Sequence, residues 1–190
     1  MVSWSALLLP SLISAVLVFI ASSLIHMVIK WHAAEYKTLP NEDEVRAVIR
    51  KSSPRPGKYV MPFCKEGKEM ASPQMQQKFN EGPNVVMFVR ENGMVKLGPF
   101  LGKWFAYTLV VSLVVGYVAR ATVAPGAEYL HVFQVVGAAA WLGYAWAIPS
   151  DSIWMGKPWA STFVYMIDGL IYAALTAGSY AWLWPKLAGA

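Results

Sequence analysis

Four long stretches almost free of formal charge decide what this chain can fold into. Residues 7–29 and 130–148 carry no Asp, Glu, Lys or Arg, 100–119 carries only Lys103, and 161–183 carries only Asp168. Each is close to the roughly 20 apolar residues that cross a bilayer core of about 30 Å. The other charges are concentrated: residues 31–100 hold 11 of the 16 Lys+Arg and 8 of the 11 Asp+Glu. The pattern predicts an all-α membrane protein of four transmembrane helices, with a small α+β extramembrane segment between helices 1 and 2. Its parts are transmembrane helix 1 (1–30), the charged segment (31–99) and a three-helix transmembrane region (100–190, with spans at about 100–119, 130–148 and 161–183). At 14% charged residues, against about 25% in soluble domains, the composition excludes a disordered chain and an ordinary soluble enzyme. The single cysteine, Cys64, excludes a disulfide framework, a thiolate zinc site and a Cys-ligated iron–sulfur cluster.

The first block reads as a retained span rather than a cleaved signal. It has no basic leader, its apolar run is too long, and no small-residue cleavage site follows it. Orientation follows from cationic residues near the helix ends. Lys30, Lys37, Arg90, Lys96 and Lys103 flank spans 1 and 2, whereas the link between spans 2 and 3 offers only Arg120 beside Glu128. Residues 31–99 are therefore expected in the cytoplasm, and both termini on the opposite, periplasmic side. Trp4, Trp31, Trp104, Trp146, Trp159, Trp182 and Trp184 fall at or near the predicted helix ends. That is where amphipathic indoles anchor a helix at the headgroup level.

Within the charged segment, Asn41 is placed to cap a helix whose first turn holds Glu42, Asp43 and Glu44 and whose end holds Arg50 and Lys51. Residues 53–57 stop it and lead into an extended stretch. Ser72-Pro73 starts a second short helix. Val85-Val86-Met87-Phe88-Val89 is a strand run, and Asn92-Gly93 predicts a tight turn returning through 94–97. The basic excess of this segment is small and interleaved with acids. It suits anionic headgroups and not nucleic acid.

Asp168 is the most pointed residue in the chain. A carboxylate inside an apolar span is costly, and it faces the bundle interior or a partner. His26, one turn from the cytoplasmic end of span 1, is the expected partner on this topology. Together they read as a clasp between helices or as a proton relay. His131 falls at the opposite end of the membrane, so His26 and His131 cannot share a haem. His32 and Glu35 have the spacing of half a di-iron motif, but the other half is missing. No metal, cofactor or catalytic framework is therefore expected, although bound lipids, or pigments held by neighbouring subunits, are compatible with the sequence. Gly169, Ala173 and Ala177 in span 4, Gly137 and Gly143 in span 3, and Ser112 and Gly116 in span 2 are small residues that permit close helix approach.

Residues 152–159 (Ser-Ile-Trp-Met-Gly-Lys-Pro-Trp), 168–172 (Asp-Gly-Leu-Ile-Tyr) and Trp182-Leu183-Trp184-Pro185 resemble a group of small four-span bacterial inner-membrane proteins, as do 56–59 and 72–83. The resemblance implies the same location and transfers no activity or site. From the residues, the leading expectation is a non-catalytic integral subunit or accessory component of a larger inner-membrane complex of respiratory or photosynthetic type. Its partners would be the lipid bilayer and other membrane-protein subunits. The alternative is a small oligomeric transporter or proton-coupled protein using Asp168 and His26.

Overall fold

The computed structural model describes residues 2–184. Pro185 and the end of the 100–190 region lie outside the described residues. Helix α1 spans Leu8–Leu24, α4 Leu97–Thr122, α5 Tyr129–Ala145 and α7 Trp159–Leu183; between them lie α2 (Glu42–Lys51), strand β1 (Gly57–Met61), α3 (Pro73–Glu81), β2 (Val85–Val89) and α6 (Pro149–Met155). Four helical stretches, Ser5–Ile29, Leu97–Thr122, Tyr129–Met155 and Trp159–Leu183, are long and apolar enough to cross a membrane. The contacts split the chain into two units, one made of residues up to Tyr36 with those from Lys96 onward, the other of Lys37–Val95. Residues 31–36 thus group with the long helices rather than with the charged segment.

In the helical unit α1 packs on α4 and α7, and α5 on α4 and α7, which closes a four-helix ring. Polar side chains fill its centre. Ser14 Oγ lies 2.8 Å from Ser112 Oγ and 3.3 Å from Thr176 Oγ1; Tyr180 Oη lies 2.6 Å from Ser11 Oγ and donates to the Ser112 carbonyl at 2.8 Å. Such bonds and close packing are what hold helices together where the surroundings are as apolar as the helices themselves. The small residues serve the same contacts. Ala173, Ala177 and Ser112 are buried, Gly137 faces Ala177, Gly143 faces Val111, and Gly116 lies against the Tyr180 ring. At one end of the bundle the Arg120 guanidinium covers the Trp4 ring at 4.6 Å and its Nε donates to the Val2 carbonyl at 2.8 Å.

Three of the sequence expectations change in the fold: one tryptophan anchor, the hairpin and one helix cap. Trp184, read as an interface anchor, is fully buried and donates Nε1–H to the Ala124 carbonyl at 2.9 Å, which ties α7 to the α4–α5 loop. Trp4, Trp146, Trp159 and Trp182 are about half exposed or more, and Trp31 less so. Trp104 is partly buried and donates to Ser22 Oγ at 2.8 Å.

The second unit pairs β2 with β1, antiparallel, in the register Gly57↔Val89 to Met61↔Val85. The hairpin expected through Asn92-Gly93 does not form. β2 is paired with β1 instead, and of the expected returning residues 94–97 only Leu97, the first residue of α4, belongs to a regular element. Asn41 does not cap α2, because its amide donates to Glu44 Oε2 instead, whereas Ser72 Oγ accepts from Met75 N as an N-cap does.

Gly169 decides how closely α7 approaches α5. A Cβ at this position would lie 2.7 Å from Ala145 Cβ, too close for either backbone to absorb without moving. Gly169→Ala should lower the thermal midpoint of the detergent-purified chain by an amount equivalent to about 1–3 kcal/mol, the usual cost of overpacking. Gly178→Ala, whose nearest neighbour is Tyr129 Oη at 3.8 Å, should leave that midpoint unchanged.

Candidate functional site

Helix α1 does not end in an ordinary cap. Ile25–Ile29 winds as one π-helical turn, and Lys30 then takes a left-handed conformation at φ 55° with its N–H bonded to Ile25 O at 3.0 Å. A non-glycine residue adopts this conformation rarely. The reversal is followed by a 3₁₀ turn, Trp31–Glu35, laid against α7. It brings His26 and His32 into parallel stacking, ring centroids 4.5 Å apart and planes 13° from coplanar. An unbroken helix would point residues six apart roughly 120° away from each other.

Helix α7 supplies the opposing wall. Ser161, Tyr165, Asp168 and Tyr172 recur at i, i+4, i+7 and i+11, which places them on one face. His32 Nε2 lies 2.6 Å from Asp168 Oδ2, and its Nδ1 is bonded to Glu35 Oε1. Ser161 Oγ donates to the other oxygen of Glu35. The Tyr165 ring packs on the face of His32 away from His26, with centroids 4.5 Å apart. Both His32 and Asp168 are buried. An imidazole with carboxylate oxygens on both nitrogens satisfies them only when both nitrogens carry protons or when something else sits between one pair. Burial alone would push the Glu35 carboxyl up. The hydrogen bonds from Ser161 and His32, with the positive charges of His32 and Lys157, outweigh it and hold the group below the ordinary carboxylate value.

Asp168 therefore does bond a histidine, but it is His32 and not His26. His26 is the outer ring of the stack, and its Nδ1 donates to the Ser22 carbonyl at 2.9 Å. His131, on α5, takes no part. In the sequence His32 and Glu35 offer only half of a di-iron motif, and His32 lies outside the first apolar block, so neither stands out as a partner for Asp168. The readable signal for the rest was the spacing of hydroxyl and carboxyl residues along one stripe of α7.

Beside this cluster lies a cavity of about 680 Å³, lined by Ser22, Ser23, His26 and Met27 from the end of α1, by residues of α4 including Leu97, Lys103, Trp104 and Tyr107, and by Tyr144, Tyr165, Asp168, Gly169 and Tyr172. Its volume and mostly apolar, aromatic walls fit a small-molecule site. Among the described residues, three buried side-chain atoms have no hydrogen bond of normal geometry: Tyr144 Oη, Asp168 Oδ1 and Tyr172 Oη. All three belong to residues lining this one cavity. Comparison with protein-family models, curated proteins and solved structures finds no match for this chain.

The Glu35–Ser161 bond is what fastens the 3₁₀ turn to α7. A double-mutant cycle of Glu35→Gln and Ser161→Ala, read by thermal unfolding, should show a coupling of about 0.5–3 kcal/mol, as contacting groups do. The exposed pair Asp43–Arg46, at 3.3 Å on α2, should show no more than about 0.5 kcal/mol.

Proposed function

We propose that this chain is a multi-pass membrane protein that holds a lipophilic small molecule with a hydroxyl- or carbonyl-bearing head in the cavity between α1, α4, α5 and α7, as a binding subunit or carrier. One observation carries the reading: three residues that line a single, mostly apolar cavity, Tyr144, Asp168 and Tyr172, each carry a buried polar atom with no hydrogen bond of normal geometry. Leaving a buried polar atom unpaired costs about 1–3 kcal/mol. An occupant with a polar head that reaches these groups as their side chains turn toward it would recover part of that cost. Leu97, Phe100 and Met27 at its wall are substantially exposed, so a molecule dissolved in a bilayer has an apolar route to the tyrosines. The charge distribution supports a bacterial inner membrane with the 37–95 unit in the cytoplasm.

With the chain in lipid nanodiscs, 4-octylphenol should raise the thermal midpoint in a saturable way, and octylbenzene, which lacks the hydroxyl, should not. Stabilisation by a ligand approaches about 2.7 kcal/mol at a hundred times its Kd. Tyr172→Phe should leave the ligand-free midpoint unchanged or higher, since it removes an unpaired hydroxyl, and should abolish the response to octylphenol. Equal responses to both compounds would refute the reading.

A second observation favours an accessory-subunit role alongside ligand binding. No residue of 37–95 is buried, and Val48, Phe63, Phe88 and Met94 are more than 60% exposed. A two-stranded sheet is marginal by itself, and this one gains no dry core from its own unit. A partner subunit in the membrane complex would supply the missing cover. Purification in mild detergent should then recover one protein at fixed stoichiometry, and Phe88→Glu should release it while leaving the cavity's ligand response intact.

A further inference from the structure

We propose that His26, His32 and Asp168 bind one divalent transition-metal ion at the wall of the cavity. One nitrogen of each ring and one Asp168 oxygen all lie within 4.8 Å of one another. The donor set, two imidazoles and a carboxylate, is the type taken by zinc, iron and their neighbours. Three protein ligands leave a further coordination position, as at reactive rather than purely structural sites. Since His26 and Asp168 both line the cavity, that position faces its interior.

The surroundings are arranged for an ion. A carbonyl only accepts, so the bond from His26 Nδ1 to Ser22 O puts the ring's proton on Nδ1 and its lone pair on Nε2. Glu35 holds His32 Nδ1 in the same way, which leaves His32 Nε2 facing Asp168. This is the carboxylate–histidine support that metal-binding imidazoles have from behind. Between His32 Nε2 and Asp168 Oδ2 there is then either a shared proton or a cation. Asp168 is 2% exposed, yet its Oδ1 has no hydrogen bond of normal geometry, while the Trp31 indole lies near the carboxyl group as a donor. A divalent ion would offset the charges of Asp168 and Glu35 and engage the carboxylate the protein leaves half-satisfied. Bonds of about 2.0–2.2 Å space tetrahedral ligand atoms roughly 3.4 Å apart. The His32–Asp168 pair therefore opens, and the His26 ring, the most exposed of the three and stacked nearly parallel to His32, swings so that its Nε2 lone pair turns toward the ion. The two tyrosine hydroxyls stay free for the lipophilic ligand.

The test uses the full chain in detergent, stripped with a chelator and titrated with Co²⁺. The expected result is one Co²⁺ per chain, with the visible absorption of a four- or five-coordinate site that Zn²⁺ abolishes. His32→Ala and Asp168→Asn should weaken binding more than tenfold. Glu35→Gln should weaken it about 10–100-fold, as loss of such support does, and His131→Ala should leave it unchanged. X-ray absorption on the wild-type Zn²⁺ form should show two imidazoles and needs no variant to fold. Absence of stoichiometric Co²⁺ binding, fewer than two imidazoles, or a spectrum indifferent to His32→Ala and Asp168→Asn in folded protein would overturn the proposal. Tyr172→Phe separates the two sites: it should cancel the octylphenol response and leave Co²⁺ binding intact.

Discussion

A carboxylate in the middle of an apolar helix must find a partner, and the partner Asp168 finds organises one whole end of this protein. In a bilayer the insertion cost of such a residue would be about 2.5–3.5 kcal/mol even on lenient scales. The bond to His32 at 2.6 Å offsets that cost only because Glu35 and Ser161 hold the imidazole from the other side. The chain must therefore turn sharply at the end of α1. The π-helical turn and left-handed Lys30 are the means, and local strain of this kind persists where surrounding contacts over-determine it.

The two ends of the helical unit are built on different physics. One is locked mainly by neutral hydrogen bonds and ring packing, Tyr180 with Ser11 and Ser112 and Trp184 on Ala124, with Arg120 over Trp4 beside them. Among the described residues no buried side-chain polar atom at that end lacks a partner. At the other end the bonding is charged and incomplete, with Asp168 Oδ1 and two tyrosine hydroxyls left over beside an open volume. Satisfied polar networks rigidify a core, whereas unsatisfied ones in native proteins call for an explanation. The proposed occupant of the cavity and the proposed ion at the His–Asp cluster would supply one.

Much of the fold was legible because its signals are local. Uncharged runs long enough to cross a bilayer need no tertiary information, and neither does Ser72 before Pro73 at the start of α3. The strand pairing was not legible in this way. Val85–Val89 reads plainly as a strand, but Asn92-Gly93 pointed to the wrong partner, since a local turn signal does not say that a strand earlier in the chain, β1, pairs with β2 instead. The site was half legible. Asp168 stands out in any reading, while His32 and Glu35 lie just past an apolar block and look like ordinary surface residues.

What the sequence determined by itself was the number of long apolar helices, the place of the charged segment, and the presence of one buried acid that must be paired. Only the tertiary structure decided which histidine pairs with it. That choice depends on a single backbone reversal at Lys30, which stacks His32 on His26 and aims it at α7. No periodicity encodes such a reversal, because the residue that makes it is not a glycine and the contacts that hold it come from a helix more than a hundred residues away.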